Sequence, residues 1–396
     1  MKILIVHNNY GRYCGEEAVV DKMAAMFQQH GHTVVFYRLT SEGFRDSLLG
    51  NVKGFFCGIY SPSGVKGMRD VLEAEHPDIV NVHNLYPFIS PAALFECKKL
   101  GIPVIMTVHN FRQICPTGLF MRNGMPCEFC LQKGNEWGCI KFNCENSIVK
   151  SVGYAARNWF ARRTGAYKNC VTQFACITAF QRQKLIEAGF SADKIKVIPN
   201  SLDVYETPHH SSTGEYVGFC GRISVEKGVD LILEVAKKHP EIAFKLAGAV
   251  REEFDTSNKP DNVEFMGYVS GDDLKRFYQN ASFVIMASRC YEGFPMSILE
   301  AAKFGKTTIG PNHGGFTEII GTADDAIGRL FKPADVNELE SQIVYLWKHP
   351  KECERLGTKA FEKLKNLYST EVVYKQWMDL IENTVKENKH IHENLL

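Results

Sequence analysis

The chain has 396 residues, of which 45% are hydrophobic and 23% charged, and its formal net charge is +1 at pH 7. These values are typical of a soluble globular protein with two domains of about 150–200 residues each, and they exclude a general electrostatic attraction to nucleic acid or membrane. The 13 cysteines fit a reducing compartment better than a disulfide framework, and no apolar run is long enough for a membrane span. We therefore expect a cytoplasmic protein.

Short apolar runs alternate with amphipathic stretches, which predicts strands and crossover helices around parallel sheets. In the first half the predicted strands are 3–6, 33–37, 78–82, 103–108, 174–178 and 195–198. Turn-forming residues at 199–214 predict a linker. The alternation then restarts with strands 216–220, 243–247, 263–266, 283–286, 307–309 and 326–330. The fold class is α/β, with two doubly wound, Rossmann-like domains at 1–200 and 201–370.

Residues 371–396 contain a last helical stretch with one apolar face. Val373, Tyr374, Trp377, Leu380 and Ile381 share that face at helical spacing. The face suits either a helix packed on the second domain or one that crosses back to the first domain. We adopt the crossing helix as the prediction.

Three strands of the first domain end in the same tripeptide, Val-His-Asn. The pairs that result are His7 and Asn8, His83 and Asn84, and His109 and Asn110. Ligands of open α/β sheets bind beyond the carboxyl ends of strands, and imidazole and carboxamide groups both donate and accept, as sugar hydroxyls require. A single pair would be better explained as a local turn. Three pairs predict a site, with His109 as its strongest candidate.

The first strand of the second domain leads into Gly221, Arg222 and Lys227, which supply two cations at a sheet edge. Residues 290–305 place Glu292 in a loop and Glu300 on a helix that begins near Pro295. A ligand with a diphosphate between two polyols requires cations and helix amides in its middle and hydroxyl acceptors at its ends. A nucleotide sugar is such a ligand, whereas a solvated surface pair is the alternative for the cations alone.

Five stretches make the chain resemble the retaining glycosyltransferases of family 4, which have the two-Rossmann-domain (GT-B) fold with a central cleft. They are G-R-I-S-V-E-K-G (221–228), V-E-F-M-G-Y-V-S (263–270), E-G-F-P-M-S-I-L-E-A (292–301), H-G-G-F-T-E-I-I (313–320) and T-V-H-N (107–110). The resemblance implies that Arg222 and Lys227 bind the donor diphosphate and that Glu300 accepts from the ribose. It implies that Glu292 and His109 lie near the donor sugar. Further donor contacts that it implies are Gly15, Gly221, Val269, Gly293, Phe294, Pro295, Ser297 and Leu299.

The activity implied is transfer of a hexosyl group, with retention, from a UDP- or GDP-linked sugar to a glycan or polyprenyl-linked acceptor in bacterial surface polysaccharide synthesis. Catalysis is expected without a cofactor, since the sequence has no Asp-x-Asp to hold Mg²⁺. A nucleotide-sugar epimerase on the same fold is the alternative enzyme. A zinc-containing nucleic-acid-binding module is a third reading, which the near-neutral charge disfavours.

A cysteine-rich insert at 110–146 contains Cys127, Cys130, Cys139 and Cys144, a spacing that suits one structural zinc ion. Reduced thiols packed in a long loop are the other interpretation.

Residues 148–168 predict one amphipathic helix. Ile148, Val152, Ala155 and Trp159 share a face, and Arg162 and Arg163 flank it. Such a helix suits either an anionic bilayer at the inner face of the membrane or, as the favoured reading, the protein's own sheet with a solvated basic side.

Overall fold

The computed structural model describes residues 1–10, 14–42, 48–204 and 214–393. The chain divides into two compact units, of which the first comprises Met1–Phe120, Glu128–Pro199 and Tyr374–Leu396. The second comprises Met121–Cys127 and Asn200–Val373. Residues 205–213 of the predicted linker, and residues 11–13 before Gly15, lie outside the described residues.

The first unit is built on a six-stranded parallel sheet. Its strand order is Thr33–Thr40, Lys2–Asn9, Ile79–Asn84, Val104–Val108, Gln173–Cys176 and Ile195–Val197. The helices of this unit are Gly15–Gln29, Leu48–Ile59, Pro62–Glu75, Leu94–Lys99, Phe129–Lys133, Trp137–Lys141, Ile148–Thr164, Ala166–Cys170 and Ala179–Glu187, with single turns at Pro91–Ala93 and Ala192–Lys194. The central strands are continuous apolar runs because helices cover both faces of the sheet; Val104–Val108, for example, is buried along its whole length.

The second unit repeats this architecture. Its sheet has the parallel order Val263–Gly267, Phe244–Ala247, Tyr216–Cys220, Ala281–Ile285, Thr308–Pro311 and Gly328–Phe331. The helices are Val229–Lys238, Gly271–Asn280, Met296–Lys303, Gly315–Ile320, Val336–Lys348 and Pro350–Lys363, followed by a π-helical turn at Leu364–Tyr368; a single turn lies at Ala323–Asp325 and a short hairpin at Met121–Arg122 and Met125–Pro126. Both predicted Rossmann-like sheets are confirmed.

The last helix, Thr370–Glu393, carries the chain back to the first unit. Trp377 is 1% exposed and packs edge-on against Phe27, with ring centroids 6.2 Å apart. Tyr374 stacks on His30 at 3.6 Å. The crossing helix is therefore confirmed, and the apolar face predicted for it is the face that is buried.

Residues 148–168 differ from their prediction in two ways. They form two helices, Ile148–Thr164 and Ala166–Cys170, because Gly165 adopts a left-handed conformation (φ +67°) that caps the first helix. The predicted apolar face is also not the buried face. Ala155 is buried, but Ile148 and Trp159 are exposed, because polar side chains of this helix occupy the protein side.

Within the described residues, no helix combines the length and the hydropathy needed to cross a membrane.

Candidate active site

In the second unit, an ion pair joins Lys227 and Glu292 near the carboxyl ends of two neighbouring strands. Lys227 follows Tyr216–Cys220, and Glu292 follows Ala281–Ile285, which pairs with it. Lys227 Nζ donates to Glu292 Oε1, and the Ser288 hydroxyl donates to the same oxygen at 2.7 Å. Both charged side chains are only 16% exposed. Lys227 and Glu292, to which the sequence analysis assigns separate ligand roles, thus form one ion pair.

The pair is ionised at neutral pH. Burial opposes the charge of Lys227, but attraction to Glu292 outweighs it and raises the pKa of the ammonium group. Burial likewise opposes the charge of Glu292, yet Lys227 and Ser288 lower the pKa of its carboxyl group. The site therefore holds a fixed cation beside a fixed anion before any ligand arrives.

Two glycines allow the backbone to bring these side chains together. Gly228 has φ +69°, and a Cβ atom there would lie 2.0 Å from the carbonyl oxygen of Ala287. A Cβ atom at Gly315 would lie 2.4 Å from the carbonyl oxygen of Gly293, and the Gly315 amide donates to Glu292 O at 3.1 Å. Only glycine fits such approaches, so both positions fix the loop that carries Glu292.

The second predicted cation, Arg222, is less constrained than Lys227. Its side chain is 47% exposed, and its guanidinium group lies 3.6 Å from Glu226. Gly221, just before it, donates its amide to Ala247 O at 2.9 Å and so continues the sheet. Arg222 therefore remains available to a ligand, which would have to break only a weak surface ion pair to bind it.

Glu300 lies on helix Met296–Lys303, which Pro295 precedes as predicted. The hydroxyl group of Tyr278 donates to Glu300 Oε2 at 2.7 Å. Tyr278 was not identified from the sequence, because nothing in its spacing distinguishes it from a core aromatic residue. It orients the carboxylate that the family resemblance assigns to the ribose.

Several other predicted donor residues direct their side chains into the core. Phe294, Ser297 and Leu299 are 8%, 8% and 1% exposed. Val269 is partly buried against the cluster around Tyr278. Any ligand contact at these positions would have to use the backbone.

The first unit brings the three predicted histidines together. His83 Nδ1 and His109 Nε2 are 2.7 Å apart, and the rings of His7 and His83 have centroids 6.3 Å apart. Burial lowers the pKa of all three imidazoles, that of His7 to about 4. The cluster is therefore neutral at pH 7 and able both to donate and to accept hydrogen bonds.

All three asparagines form side-chain hydrogen bonds with backbone groups. Asn8 Oδ1 accepts from the Phe88 amide at 2.9 Å, and Asn84 Nδ2 donates to Asn8 O at 2.7 Å. This is the local turn role considered as the alternative. Asn110 Oδ1 likewise accepts from the Arg112 amide at 3.1 Å, and its Nδ2 also donates to Glu16 Oε2 at 3.4 Å.

Three side chains near this cluster were missed from the sequence. Glu16 Oε2 accepts from Tyr10 at 3.0 Å, and Arg112 Nη1 donates to the Tyr10 hydroxyl at 3.0 Å. Glu16 Oε1 lies 3.9 Å from His7 Nδ1. The sequence contained a signal for Glu16, which follows a glycine loop at a strand end. It contained no such signal for Arg112.

Gly15 begins helix Gly15–Gln29, and among the described residues beyond its chain neighbours and its own helix backbone no atom lies within 4 Å of where its Cβ would stand. Its backbone is accessible, but the first turn also contains Glu16 and Glu17. The carboxylate of Glu17 accepts from the Cys14 amide at 2.9 Å and caps the helix.

The sequence predicts that the four insert cysteines hold one structural zinc ion. Among the described residues, no three Cys, His, Asp or Glu side chains are arranged to hold a metal ion. Cys139 and Cys144 form a side-chain hydrogen bond that, with burial, raises the pKa of Cys139. None of the four cysteines, Cys127 and Cys130 included, is part of a disulfide bond. Zinc binding stays a prediction without support from the geometry.

Comparison with known proteins supplies the family. Residues 13–206 match the model Glycosyltransferase Family 4, and residues 206–363 match the model Glycosyl transferases group 1. An uncharacterized 42.6 kDa protein in the cps region of Klebsiella pneumoniae is 26% identical over 270 residues, which are 66% of this chain and 64% of that protein. The poly(ribitol-phosphate) alpha-N-acetylglucosaminyltransferase of Staphylococcus aureus is 26% identical over 243 residues, 55% of this chain. The chain spans only 47% of that relative's length.

Solved structures agree on the fold. The crystal structure of Anabaena HepE in complex with UDP and glucose superposes with a TM-score of 0.66 at 16% identity, covering 97% of this chain and 100% of that one. At this identity the likeness establishes the fold alone. Since the two family models match in succession along residues 13–363 and the chain has two parallel Rossmann-like sheets, it belongs to glycosyltransferase family 4 and has the GT-B fold.

Proposed function

We propose that the protein transfers a hexosyl group, with retention of anomeric configuration, from a UDP- or GDP-linked sugar to a glycan or polyprenyl-linked acceptor. The relative from S. aureus acts on a poly(ribitol-phosphate), and the HepE structure contains UDP and glucose, which supports a nucleotide sugar and a polymer acceptor. We place this reaction in the synthesis of a bacterial surface polysaccharide, at the inner face of the membrane.

The observation that carries this proposal is the Lys227–Glu292 pair. A nucleotide sugar presents a diphosphate next to a ring of hydroxyl groups, so its site must offer positive charge and hydrogen-bond acceptors side by side. Lys227 supplies the charge, and Arg222 adds a second, more exposed cation. Glu292 supplies the acceptor for the sugar, and Glu300, held by Tyr278, supplies the acceptor for the ribose.

In the proposed reaction, the bond between the anomeric carbon and the phosphate oxygen breaks while an acceptor oxygen bonds to the same face of that carbon. The acceptor proton passes to the leaving phosphate oxygen. Arg222 and Lys227 stabilise the negative charge that grows on the diphosphate, which is electrostatic catalysis rather than acid–base catalysis by a side chain. No step requires a metal or another cofactor.

We assign the acceptor hydroxyl to the polar cluster of the first unit. Burial lowers the pKa of His109 and of its partner His83, so both rings are weak bases that can orient a hydroxyl group with little tendency to remove its proton. Glu16 adds a carboxylate, which Tyr10 holds at 3.0 Å. Neutral imidazoles beside one carboxylate suit a polyol better than they suit an anion.

Ligand-induced stabilisation tests the proposal directly. A nucleotide sugar at a hundred times its dissociation constant should stabilise the protein by about 2.7 kcal/mol. We expect one of the UDP- and GDP-linked hexoses to do so, and Lys227→Met to abolish the effect. NMR of the product should show the anomeric configuration of the donor. Deuterium incorporation at the sugar C2 without any acceptor would instead identify an epimerase.

A further inference from the structure

Helix Ile148–Thr164 is amphipathic with its polar residues turned inward. Its buried residues include Arg157 and Asn158, 6% and 5% exposed. Arg157 Nη2 donates to Pro116 O at 2.7 Å, and Asn158 Nδ2 donates to Arg112 O at 2.6 Å. The protein side of this helix is thus satisfied by hydrogen bonds, and its apolar residues are left for the outer side.

The outer side of the helix is strongly apolar. Ile148, Val149, Val152 and Trp159 are 57%, 71%, 36% and 52% exposed. The intervals of four residues from Ile148 to Val152 and seven from Val152 to Trp159 place these three along one stripe. A stripe of this kind in water needs a partner, because the protein's own core does not cover it.

A second helix, Leu48–Ile59, lies beside the first and enlarges the surface. A Cβ atom at Gly153 would lie 2.4 Å from Phe55 Cδ2, so the ring rests directly on the backbone of helix Ile148–Thr164. Tyr60 and Phe160 meet with ring centroids 6.4 Å apart. Phe56 and Tyr60 are 63% and 48% exposed. We call Phe56, Tyr60, Ile148, Val149, Val152 and Trp159 the two-helix surface.

Charge identifies the partner. The sequences of the two helices contain no aspartate or glutamate, whereas they contain Lys53, Lys150, Arg157, Arg162 and Arg163. Lys150 and Arg163 are exposed beside the apolar stripe, while Arg162 is paired with Glu136 at 2.8 Å. Aliphatic and aromatic side chains flanked by cations match the boundary between acyl chains and anionic headgroups. Trp and Tyr are the residues that favour this boundary.

We infer that the two-helix surface docks the protein on an anionic lipid bilayer, with both helices lying in the plane of the headgroups. This inference deepens the proposed function, because a polyprenyl-linked acceptor would be reached from that bilayer. The surface itself belongs entirely to the first unit and includes none of the residues assigned to the donor.

Co-sedimentation of the full-length protein with sucrose-loaded vesicles tests the inference. One set of vesicles is phosphatidylcholine, and the other is equal parts phosphatidylcholine and phosphatidylglycerol. We expect binding to the second set and little to the first. The double variant Val149→Ser/Trp159→Ser should lose at least about tenfold in partition coefficient, and Lys150→Gln/Arg163→Gln should lose roughly fivefold per cation at low salt.

Leu367→Ser is the matched control, because Leu367 is 48% exposed but lies in the second unit. It should bind vesicles like the wild type, and circular dichroism should show all variants folded. Equal binding by the Val149/Trp159 variant, or no preference for anionic vesicles, would overturn the inference. So would light scattering that shows a dimer dispersed by the same substitutions, which would make the surface a contact between copies. Stabilisation by UDP, measured without vesicles, reports separately on the donor site.

Discussion

The ion pair between Lys227 and Glu292 gives the sharpest test of the donor site. Removing one partner of a fully buried pair costs about 3–5 kcal/mol, because the other charge is left without compensation. Each side chain here keeps 16% exposure, so some water reaches the orphaned charge. We therefore expect Lys227→Met and Glu292→Gln each to lower the free energy of unfolding by about 2–3 kcal/mol. The double variant leaves no buried charge. It should be about 1–2 kcal/mol more stable than the sum of the two single-variant losses in unfolding free energy predicts.

The pH of the measurement follows from the two pKa shifts. Attraction to Glu292 raises the pKa of Lys227 above its ordinary 10.5, so its contribution is complete below that value and is lost as the pH rises through the raised pKa. The pKa of Glu292 is lowered from 4.5, so its contribution is present above that value and is lost as the pH falls through the lowered pKa. Urea unfolding near pH 7 therefore measures the whole coupling.

Nucleotide binding separates the roles of the two residues. A charged hydrogen bond is worth about 1.5–3 kcal/mol, so Lys227→Met should weaken UDP or GDP about ten- to a hundredfold by calorimetry. Glu292→Gln releases the ammonium group from its competing carboxylate and should leave nucleotide affinity equal or higher, while turnover falls about a hundredfold.

A surface pair in the same unit provides the control. Lys238 and Glu340 are 2.8 Å apart but 41% and 27% exposed. The corresponding double-mutant cycle, which compares the two single variants of this pair with the double variant, should therefore give a much smaller coupling energy and leave nucleotide binding normal. The reasoning about the donor site fails if the Lys227–Glu292 cycle gives no coupling, or if Lys227→Met binds the nucleotide as tightly as the wild type.

Three further outcomes follow from the first unit and the insert. Burial lowers the pKa of His7 to about 4, so the free energy of unfolding should fall by about 2 kcal/mol between pH 6.5 and about pH 5. His7→Phe should remove this pH dependence when urea unfolding is measured across that range. If the free energy of unfolding depends on pH in the same way in the variant, the burial of this ring is contradicted. Glu16→Gln should reduce the rate of sugar transfer about tenfold at unchanged UDP affinity. The control Glu17→Gln should lower the melting temperature more than it lowers the transfer rate. Equal kinetics in the wild type and Glu16→Gln would remove Glu16 from the acceptor site. Dialysis against EDTA should leave turnover unchanged, because the insert cysteines take no part in the proposed reaction, whether or not metal analysis finds a zinc ion in the insert. Activity that is lost with a metal and restored by adding it back would contradict catalysis without a cofactor.

Much of the fold is predictable because it rests on patterns that a single sequence displays. A fully covered parallel strand must be a short apolar run, and all 12 strands predicted from such runs are found in the two sheets. The burial of the last helix is predictable for the same reason, since Trp377 and its neighbours form an apolar face, but that face alone does not tell which unit covers it. The three histidines meet because parallel strands end at one sheet edge.

What sequence patterns did not predict depends on pairings between distant residues. Lys227 and Glu292 are 65 positions apart, and their mutual neutralisation follows from backbone approaches at Gly228 and Gly315 that no local pattern encodes. The asparagines at the strand ends shared one motif, yet hydrogen bonds to backbone groups gave Asn8 and Asn84 a structural role. Helix Ile148–Thr164 was oriented wrongly because periodicity finds an apolar stripe but does not say which side it faces.

The charges around the donor site explain how two glutamates can stand beside a site for an anion. An uncompensated carboxylate would repel a diphosphate, but Lys227 compensates the charge of Glu292. Tyr278 orients Glu300, which the family resemblance assigns to the ribose and not to the phosphates. Each carboxylate is thereby held in place without a mobile counterion. An arriving diphosphate then has to share Lys227 with Glu292, which favours ligands that also bring hydroxyl groups to satisfy the displaced carboxylate oxygen. Inorganic pyrophosphate lacks such hydroxyls and should bind more weakly than a nucleotide sugar. Glu292→Gln should reduce the difference in affinity between these two ligands. An unchanged ratio of the two affinities in calorimetry would show that Glu292 does not select for the sugar.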